Sequence, residues 1–418
     1  MMKEELIKKA YEIAVERYAA VGVDVEKALE QLQKISLSLH CWQADDVTGF
    51  ENPDSVLSGG IQATGNYPGK ARNIDEVRQD ILKAASYIPG HHRLNLHATY
   101  GDFKGKFVDR DEIEPKHFES WMQWGKEHGM KLDFNSTSFS HPKSGSLSLA
   151  NPDKEIRDFW IEHTKRCRAI ADAMGKYQND PCIMNLWIHD GSKDITVNRL
   201  YYRQLLKNSL DEIFIKKYDN EKDCIEAKLF GIGAESYTVG SYDFYLGYGV
   251  KNNKIVTLDT GHFHPTESIA DKISSLLLFT SEIMLHVSRP IRWDSDHVTI
   301  MNDDTLDLAK EVVRCNALSR VHIGLDYFDA SINRIGAYVI GARATQKCLI
   351  QALLEPLAQL RKYEANEQFF ERLALLEEAK SLPWNAVWDM FCLKNGVPVG
   401  ESFIPEIEKY ETAITSKR

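Results

Sequence analysis

Several protein classes are excluded by what the sequence lacks. Its seven cysteines are never closer together than 15 residues, so it has no C-x-x-C pair for zinc or redox chemistry. An odd, scattered set is typical of reduced thiols in a cytoplasmic protein. No apolar run approaches the roughly 18–20 residues of a membrane span. The charged segment 1–18 predicts an amphipathic helix rather than a signal peptide. We therefore expect a cytoplasmic protein that does not enter a membrane.

The sequence also has fewer basic residues than acidic ones. The chain has 51 lysines and arginines against 61 acidic residues, a formal net charge of −10, and no basic block. Nucleic acids and anionic membranes select basic patches, so we expect neither as a partner. The charge balance suits a small polar substrate or a cation. With 43% hydrophobic and 27% charged residues, the composition is that of a folded globular protein.

Short apolar runs alternate with longer helical patterns over most of the chain. This alternation predicts a parallel sheet with right-handed crossovers. Eight such strands favour an α/β fold of the (β/α)₈ TIM-barrel type over an open doubly wound sheet, the alternative. We assign residues 1–343 to this barrel, including the N-terminal helix. The predicted strands are residues 35–39, 93–98, 131–134, 183–188, 224–229, 254–258, 283–287 and 321–325.

The remaining residues, 344–418, have a different composition. They are rich in Leu, Ala, Glu, Lys and Arg, and no strand pattern is present. Leu349, Leu353, Leu357 and Leu360 share one face at helical spacing. Pro356 lies inside that pattern and should kink the helix or start a new one. We expect a helical C-terminal extension that makes oligomer contacts.

A glycine-rich loop, SGGIQATGNYPGKARN, occupies residues 58–73. It does not meet the phosphate-binding pattern, because Gly65 and Gly69 are one residue too close and Lys70 is followed by Ala71. Two interpretations stay open, a flexible surface loop and a mobile lid over an active site.

Candidate functional side chains gather at the carboxyl ends of the predicted strands, where barrel enzymes place their catalytic groups. Glu226 and Lys228 are two residues apart on one strand, so both point the same way, into the barrel mouth. Burying such charges is costly unless they are paired or bind something. The other candidates at or just after strand ends are Trp42, His97, Trp187, Asp259, His262, His286, Asp294, Asp296 and Asp326.

Carboxylates dominate the candidates of the last four strands. Oxygen-rich ligation with a minority of His suits Mn²⁺, Mg²⁺ or Co²⁺ better than a structural zinc site. Seven ligands exceed what one octahedral ion with open positions needs, so we predict two ions with Asp259 shared between them. The proposed metal ligands are Glu226, Asp259, His262, His286, Asp294, Asp296 and Asp326.

Longer motifs lie in the same regions: SLHCWQADDVTGFE (38–51), the loop 58–73, GIGAESYTVGSYDFYLGY (231–248), LDTGHFHPTE (258–267), LHVSRPIRWDSDH (285–297) and RVHIGLDYFDASINRIGAYVIG (320–341). Together they resemble the L-rhamnose isomerase family. The resemblance covers nearly the whole chain, and it implies a fold like that of xylose isomerase, a barrel with two divalent metals and a helical extension used in tetramers.

The resemblance also implies roles for individual residues. His262, Asp294 and Asp296 correspond to ligands of the manganese nearest the chemistry, and the first two also contact substrate. Glu226, Asp259, His286 and Asp326 correspond to a second site, in which Co²⁺, Mg²⁺ or Zn²⁺ could replace Mn²⁺. Lys228 corresponds to the lysine near the reacting oxygens. His97 is the candidate for ring opening, with Asp102 a doubtful partner. From residue type alone, Trp42, Phe103 and Trp187 are candidate walls for the sugar's methyl group.

The implied reaction is the interconversion of L-rhamnose and L-rhamnulose in carbohydrate degradation. A hydrogen moves between C2 and C1 either as a proton through an enediol or directly as hydride. The inventory favours hydride shift, because the carboxylates are committed to metals and His97, on the second strand, is expected to lie far from the metal strands in barrel order. Asp326 then assists the hydroxyl proton between O2 and O1. The alternatives are an isomerase or epimerase of another sugar and a metal-dependent barrel phosphodiesterase, which the charge of −10 disfavours.

Overall fold

Eight parallel strands close into a barrel in the computed structural model, which describes residues 3–51, 61, 63–230, 233–292 and 294–418. The order around the barrel is β1-β10-β9-β8-β6-β4-β3-β2. The predicted TIM barrel is therefore confirmed, and the open sheet is excluded. The barrel strands are β1 (Leu37–His40), β2 (Arg93–His97), β3 (Lys131–Asn135), β4 (Cys182–Leu186), β6 (Glu221–Glu226), β8 (Ile255–Asp259), β9 (Ile283–Val287) and β10 (Val321–Leu325). Two short strands, β5 (Gly191–Ser192) and β7 (Tyr237–Thr238), form a separate antiparallel pair.

Helices surround the barrel and return the chain between strands. Several begin at a side chain that accepts a backbone N–H: Asn73, Asp153 and Asn302 cap α3, α5 and α9. The helices up to the last barrel strand are α1 (Glu4–Ala19), α2 (Val25–Lys34), α3 (Ile74–Ala85), α4 (Glu119–Glu127), α5 (Lys154–Gln178), α6 (Arg199–Ile213), α7 (Tyr242–Asn252), α8 (Ala270–Leu276) and α9 (Asp303–Arg314). Short 3₁₀ turns cover Cys41–Gln43, Ala98–Tyr100 and Pro115–Phe118. None of the helices within the described residues is both long and apolar enough to cross a membrane.

Helix α10 (Arg334–Leu353) follows the last barrel strand and packs against α9, α2 and α3. It runs unbroken through residues 343 and 344, so the predicted start of the extension falls inside the eighth barrel helix. Composition changes there, but the helix continues because nothing interrupts its backbone hydrogen bonds before Pro356. That proline caps α11 (Leu357–Ala365), as expected for a new helix. Three further helices follow: α12 (Phe369–Ala379), α13 (Trp384–Lys394) and α14 (Ile404–Ala413).

The leucine face of the extension is largely buried within its own chain. Leu349 and Leu360 are buried, and Trp388 of α13 is buried as well. The most exposed apolar residues of the extension lie on α12, where Phe369, Phe370 and Leu373 are 56%, 81% and 60% exposed, and Ile404 of α14 is 44% exposed.

The described part of the glycine-rich loop is tied to neighbouring segments. Thr64 bridges to Asp329, and Arg334 donates to the Tyr67 carbonyl oxygen at 2.8 Å. Gly65 has a φ of +107°, and a Cβ there would lie 2.3 Å from the Ala330 backbone, so only glycine fits. Residues 58–60 and 62 lie outside the described residues. The described loop residues therefore contact the segment after β10 and the first turn of α10, and both interpretations of the loop stay predictions.

The same loop rests on a buried ion pair between Asp80 and Arg418. Their side chains are 1% and 3% exposed, with oxygen–nitrogen distances of 2.6 and 2.9 Å. Asp80→Ala would leave the guanidinium buried without its main partner, so the free energy of unfolding should fall by about 3 kcal/mol. Asp75→Ala is the control, since that carboxylate is 89% exposed and should cost less than about 1 kcal/mol. Denaturant unfolding at one fixed protein concentration measures both, and equal losses would contradict the prediction.

Candidate active site and metal centre

A cavity of about 520 Å³ opens at the carboxyl ends of the barrel strands. It brings together most of the residues singled out in the sequence, although they are spread over nearly 300 positions. The predicted residues that line it are Trp42, His97, Trp187, Glu226, Lys228, His262, His286, Asp294, Asp296 and Asp326. Asp259 lies against the same cluster, as described below. Phe103 does not lie with them: its ring packs near His117, with centroids 5.5 Å apart.

Glu226, Asp259, His286 and Asp326 form the tightest group. One ligand atom from each lies within 4.8 Å of the others. His286 Nδ1 is 3.2 Å from Glu226 Oε2, 3.2 Å from Asp326 Oδ2 and 3.9 Å from Asp259 Oδ2. A single ring nitrogen donates one hydrogen bond, so it cannot satisfy all three carboxylate oxygens. The lone pairs of these oxygens therefore face a common centre. This group could hold a divalent cation.

Each carboxylate of the group has one oxygen held by a donor from the protein. Asn185 Nδ2 donates to Glu226 Oε2, the Gly261 N–H donates to Asp259 Oδ1 at 2.6 Å, and Trp42 Nε1 donates to Asp326 Oδ1 at 3.1 Å. Such contacts orient metal ligands. At Asp259 and Asp326 they leave the other oxygen, Oδ2, directed at His286, whereas at Glu226 the oxygen that Asn185 holds is also the one beside His286. Sequence reasoning missed Asn185. The signal for it was available, since Asn185 lies two residues before Trp187 on a predicted strand and therefore shares its face.

His262, Asp294 and Asp296 lie on the open side of that group. His262 Nε2 is 3.2 Å from Asp294 Oδ2, and its Nδ1 is 3.2 Å from Glu226 Oε1. These contacts place Glu226 between the two sets of ligands. A Cβ at Gly261 would lie 2.7 Å from Asp294 Oδ1 and 3.2 Å from Asp259 Oδ1. The backbone at this glycine therefore sets how closely the two sets approach.

The excess of negative charge shifts the pKa values of the cluster. Burial lowers the pKa of His262 and His286, but the surrounding carboxylates outweigh it and raise both well above the usual value. Burial and neighbouring carboxylates raise the pKa of Asp259 and Asp296. Burial also acts on Glu226, yet the two imidazoles bring its pKa below the usual range. The raised pKa values mean that these side chains bind protons. The protons balance the negative charge of the cluster, as a bound cation would.

The donors fit a divalent cation. Glu226 Oε1, His262 Nδ1 and both ring nitrogens of His286 are buried without a hydrogen-bond partner among the described residues. Buried polar atoms are rarely left in that state unless they bind water or an ion. Four carboxylate or imidazole groups at one centre match the oxygen-rich ligation of Mn²⁺, Mg²⁺ or Co²⁺.

Lys228 reaches the cavity beside these ligands. Its ammonium lies 4.6 Å from the centroid of the Trp187 ring. Burial lowers the pKa of Lys228 to about 8, against the opposing effect of Asp294 and Asp296. The side chain is therefore mostly protonated at neutral pH. Among the described residues that line the cavity, Lys228 is the one lysine or arginine.

His97 lies closer to the metal ligands than expected. Because the barrel is closed, β1 pairs with both β2 and β10, and Trp42 after β1 contacts both sides. The Trp42 ring lies 4.6 Å from that of His97 while its N–H holds Asp326. The doubtful partner Asp102 is bound to Lys104 instead, and His97 Nδ1 lies 3.0 Å from Thr137 Oγ1. Burial lowers the pKa of His97 to about 4, so the imidazole is neutral.

The rest of the cavity wall mixes five apolar side chains with six polar ones, which were not proposed as site residues. They lie on or after β1, β3, β4, β6, β9 and β10, so several share a segment with the acidic ligands. Apolar walls carry no sequence motif, because their residue types are the same as in the core. The described residues that complete the lining are Val47, Ile61, Thr64, Asn135, Phe139, Asn185, Phe230, Glu235, Ser295, His297 and Phe328.

Comparisons with known proteins agree on one family. The family model described as L-rhamnose isomerase (RhaA) matches residues 5–418. A protein named L-rhamnose isomerase from Bacteroides thetaiotaomicron is 77% identical over 418 residues, which is all of both chains. One of that name from Listeria monocytogenes is 54% identical over 421 aligned residues, again all of both chains. A solved L-ribulose 3-epimerase is 8% identical with a TM-score of 0.49, covering 76% of this chain and 95% of its own.

Proposed function

The chain belongs to the L-rhamnose isomerase family, and on this premise we propose that it interconverts L-rhamnose and L-rhamnulose in the barrel cavity. The observation that carries the proposal is the cluster of Glu226, Asp259, His286 and Asp326 beside Lys228. An aldose–ketose isomerase needs groups that stabilise negative charge on O1 and O2 of the open sugar, and this cavity concentrates such groups.

Two sets of residues would hold divalent cations, for which we propose Mn²⁺ in the cell. Glu226, Asp259, His286 and Asp326 form one set, and His262, Asp294 and Asp296 form the other, with Co²⁺, Mg²⁺ or Zn²⁺ as alternatives at one of them. When bound, such cations polarise the oxygens at C1 and C2 of the sugar. Trp42 and Asn185 keep the carboxylates turned toward the centre.

Three residues of the chain act on the sugar itself in this proposal. Lys228, protonated with a pKa of about 8, donates a hydrogen bond to a reacting oxygen. Asp326, held by Trp42 at one oxygen, assists the hydroxyl proton between O2 and O1. His97, neutral and on the far side of Trp42, meets the ring oxygen and opens the pyranose. Trp187 stacks near His262 and shields this region from water.

We propose that the hydrogen passes from C2 to C1 as hydride. The enediol route needs a base within about 3 Å of both carbons. His97 is close enough to be considered once the barrel is closed, but burial lowers its pKa to about 4, which makes it a weak base for a C–H bond. Two other residues that line the cavity are candidate bases. The side chain of Glu235 is exposed at the cavity mouth, and His297 Nδ1 lies 3.5 Å from Asp329 Oδ2. Weak basicity, rather than distance, therefore supports hydride shift.

The direct test is product analysis. The purified protein is incubated with Mn²⁺ and L-rhamnose, and ketose is identified by NMR. L-rhamnulose should form, and a panel of other aldoses should react more slowly. Failure of every aldose, or hydrolysis of a phosphodiester instead, would reject the proposal.

We also propose a cytoplasmic homotetramer. All seven thiols are free of disulfides, as expected in a reducing compartment. The exposed Phe369, Phe370 and Leu373 on α12 form an apolar patch of the kind that subunits cover.

The native mass in solution should be four times 47.7 kDa. Phe370→Asp should shift it toward smaller species, because burying a carboxylate in an apolar interface is unfavourable. Phe107→Asp is the matched control, since Phe107 is 67% exposed elsewhere on the chain. Light scattering at micromolar concentration measures all three proteins. A wild-type monomer would contradict the proposal.

A further inference from the structure

The Nδ1 side of the His97 ring contacts a buried polar network that has no role in the proposed reaction. His97 Nδ1 lies 3.0 Å from Thr137 Oγ1, and the same hydroxyl oxygen accepts the Ala98 N–H at 3.1 Å. Thr137 is fully buried. One side chain therefore holds both the imidazole and the backbone just after β2. The Phe139 ring meets the His97 ring edge-on, with centroids 5.5 Å apart.

Thr137 is itself fixed from both sides. Its N–H donates to His163 Nε2 at 3.0 Å, and its carbonyl oxygen accepts from Arg110 at 2.8 Å. Since His163 Nε2 accepts, its Nδ1 carries the proton and donates to the Arg110 carbonyl oxygen at 3.0 Å. Arg110 also pairs with Glu51 at 2.9 Å. The hydroxyl thus sits on a rigid support behind the cavity.

We propose that Thr137 is a positioning residue for ring opening: its hydroxyl holds His97 Nδ1 and thereby turns Nε2 toward the ring oxygen of the sugar. Nδ1 is occupied behind the cavity wall, while His97 also lines the cavity. An imidazole free to rotate would spend part of its time with neither nitrogen directed at the substrate. The inference rests on the proposed function, because it concerns the step before hydrogen transfer.

The test compares Thr137→Val, which deletes the hydroxyl at similar volume, with Thr137→Ser, which keeps it. Thr345→Val is the control, because Thr345 is also buried and its hydroxyl bonds only a carbonyl oxygen within α10. We measure kcat/KM for L-rhamnose and for L-rhamnose deuterated at C2 with the Mn²⁺-loaded enzyme, together with Tm. Thr137→Ala is the second deletion variant should Thr137→Val fail to fold.

Thr137→Val should lower kcat/KM by about 10- to 100-fold, as expected for a misoriented catalytic group. The deuterium isotope effect on kcat/KM should stay at or below the wild-type value, because ring opening becomes more rate-limiting than hydrogen transfer. Thr137→Ser should recover most of the activity, and Thr345→Val should match wild type.

Three results would overturn the inference. These are wild-type activity in Thr137→Val, a loss in Thr137→Ser as large as in Thr137→Val, and a loss accompanied by a larger isotope effect, which would locate the damage in hydrogen transfer. Absence of ketose formation by the wild-type enzyme would instead reject the proposed function.

Discussion

Replacing His262 or Asp294 with alanine should lower turnover by at least about a hundredfold, because a lost ligand removes charge stabilisation that matters most in the transition state. Chelation should abolish activity, and Mn²⁺ or Co²⁺ should restore it. The two side chains lie 3.2 Å apart at the open edge of the cluster, where substrate enters. Steady-state kinetics after dialysis against a chelator, with and without added metal, measures both effects.

His264→Ala is the matched control for these substitutions. His264 lies only two residues from His262, but its side chain is exposed and bonded to Thr266. Its loss should leave turnover within about twofold of wild type, as for most surface substitutions. Full activity in a sample shown by elemental analysis to be free of metal would contradict the two-cation proposal.

Turnover in D₂O should leave protium at both C1 positions of the ketose. Hydride shift carries the C2 hydrogen directly to C1, so solvent deuterium has no route into the product. An enediol passes the hydrogen through a base that exchanges with solvent. The difference is all or none in the first turnover, which makes it the sharpest test of the proposed chemistry.

The measurement is ¹H NMR of L-rhamnulose isolated after partial conversion. L-Rhamnulose incubated in D₂O without enzyme controls for spontaneous exchange. Substantial deuterium at C1 beyond that control would mean an enediol. His97 would then be the first base to test, since Trp42 brings it to the same side of the cavity as Asp326.

The strand ends were the most predictable part of the molecule. Each predicted barrel strand exists, because parallel strands buried on both faces leave short apolar runs that helices do not mimic. The alternation of side chains along a strand correctly placed Glu226 and Lys228 in one cavity. Knowing which end of a barrel carries the site was enough to select residues far apart in sequence.

Contacts between residues that meet only because the barrel closes were not predictable from the sequence in the same way. His97 was expected to lie far from the metal strands in barrel order, which was wrong, because closure leaves only β1 between β2 and β10. Asp102 is close to His97 in sequence, but its carboxylate binds Lys104. Thr137, just after β3, holds the imidazole instead. Sequence proximity is a poor guide wherever hydrogen bonds cross from one strand to the next.

The boundary between barrel and extension, placed between residues 343 and 344, stays a prediction, and it falls inside α10. A change of composition at Ala344 reflects what the helix packs against, whereas the helix ends where its backbone hydrogen bonds end. Pro356 was the better signal for the end of the helix, because proline supplies no N–H to continue it. The apolar cavity walls at Val47, Phe139 and Phe328 had no such signal, since core and cavity select the same residue types.

Different segments around the cavity supply the acidic ligands and the apolar walls. Acidic ligands come from β6, β8, β9 and β10, and the apolar walls come mainly from the segments after β1, β3, β4 and β10. Gly261 fixes the spacing of the acidic half through the backbone, so that half tolerates little change. In the other half, Trp42 and Asn185 must stay, because they hold Asp326 and Glu226, whereas Val47, Phe139 and Phe328 have apolar side chains that hold no ligand by a hydrogen bond. A new sugar preference is therefore best sought by varying the walls, which separates the choice of substrate from the reaction performed on it.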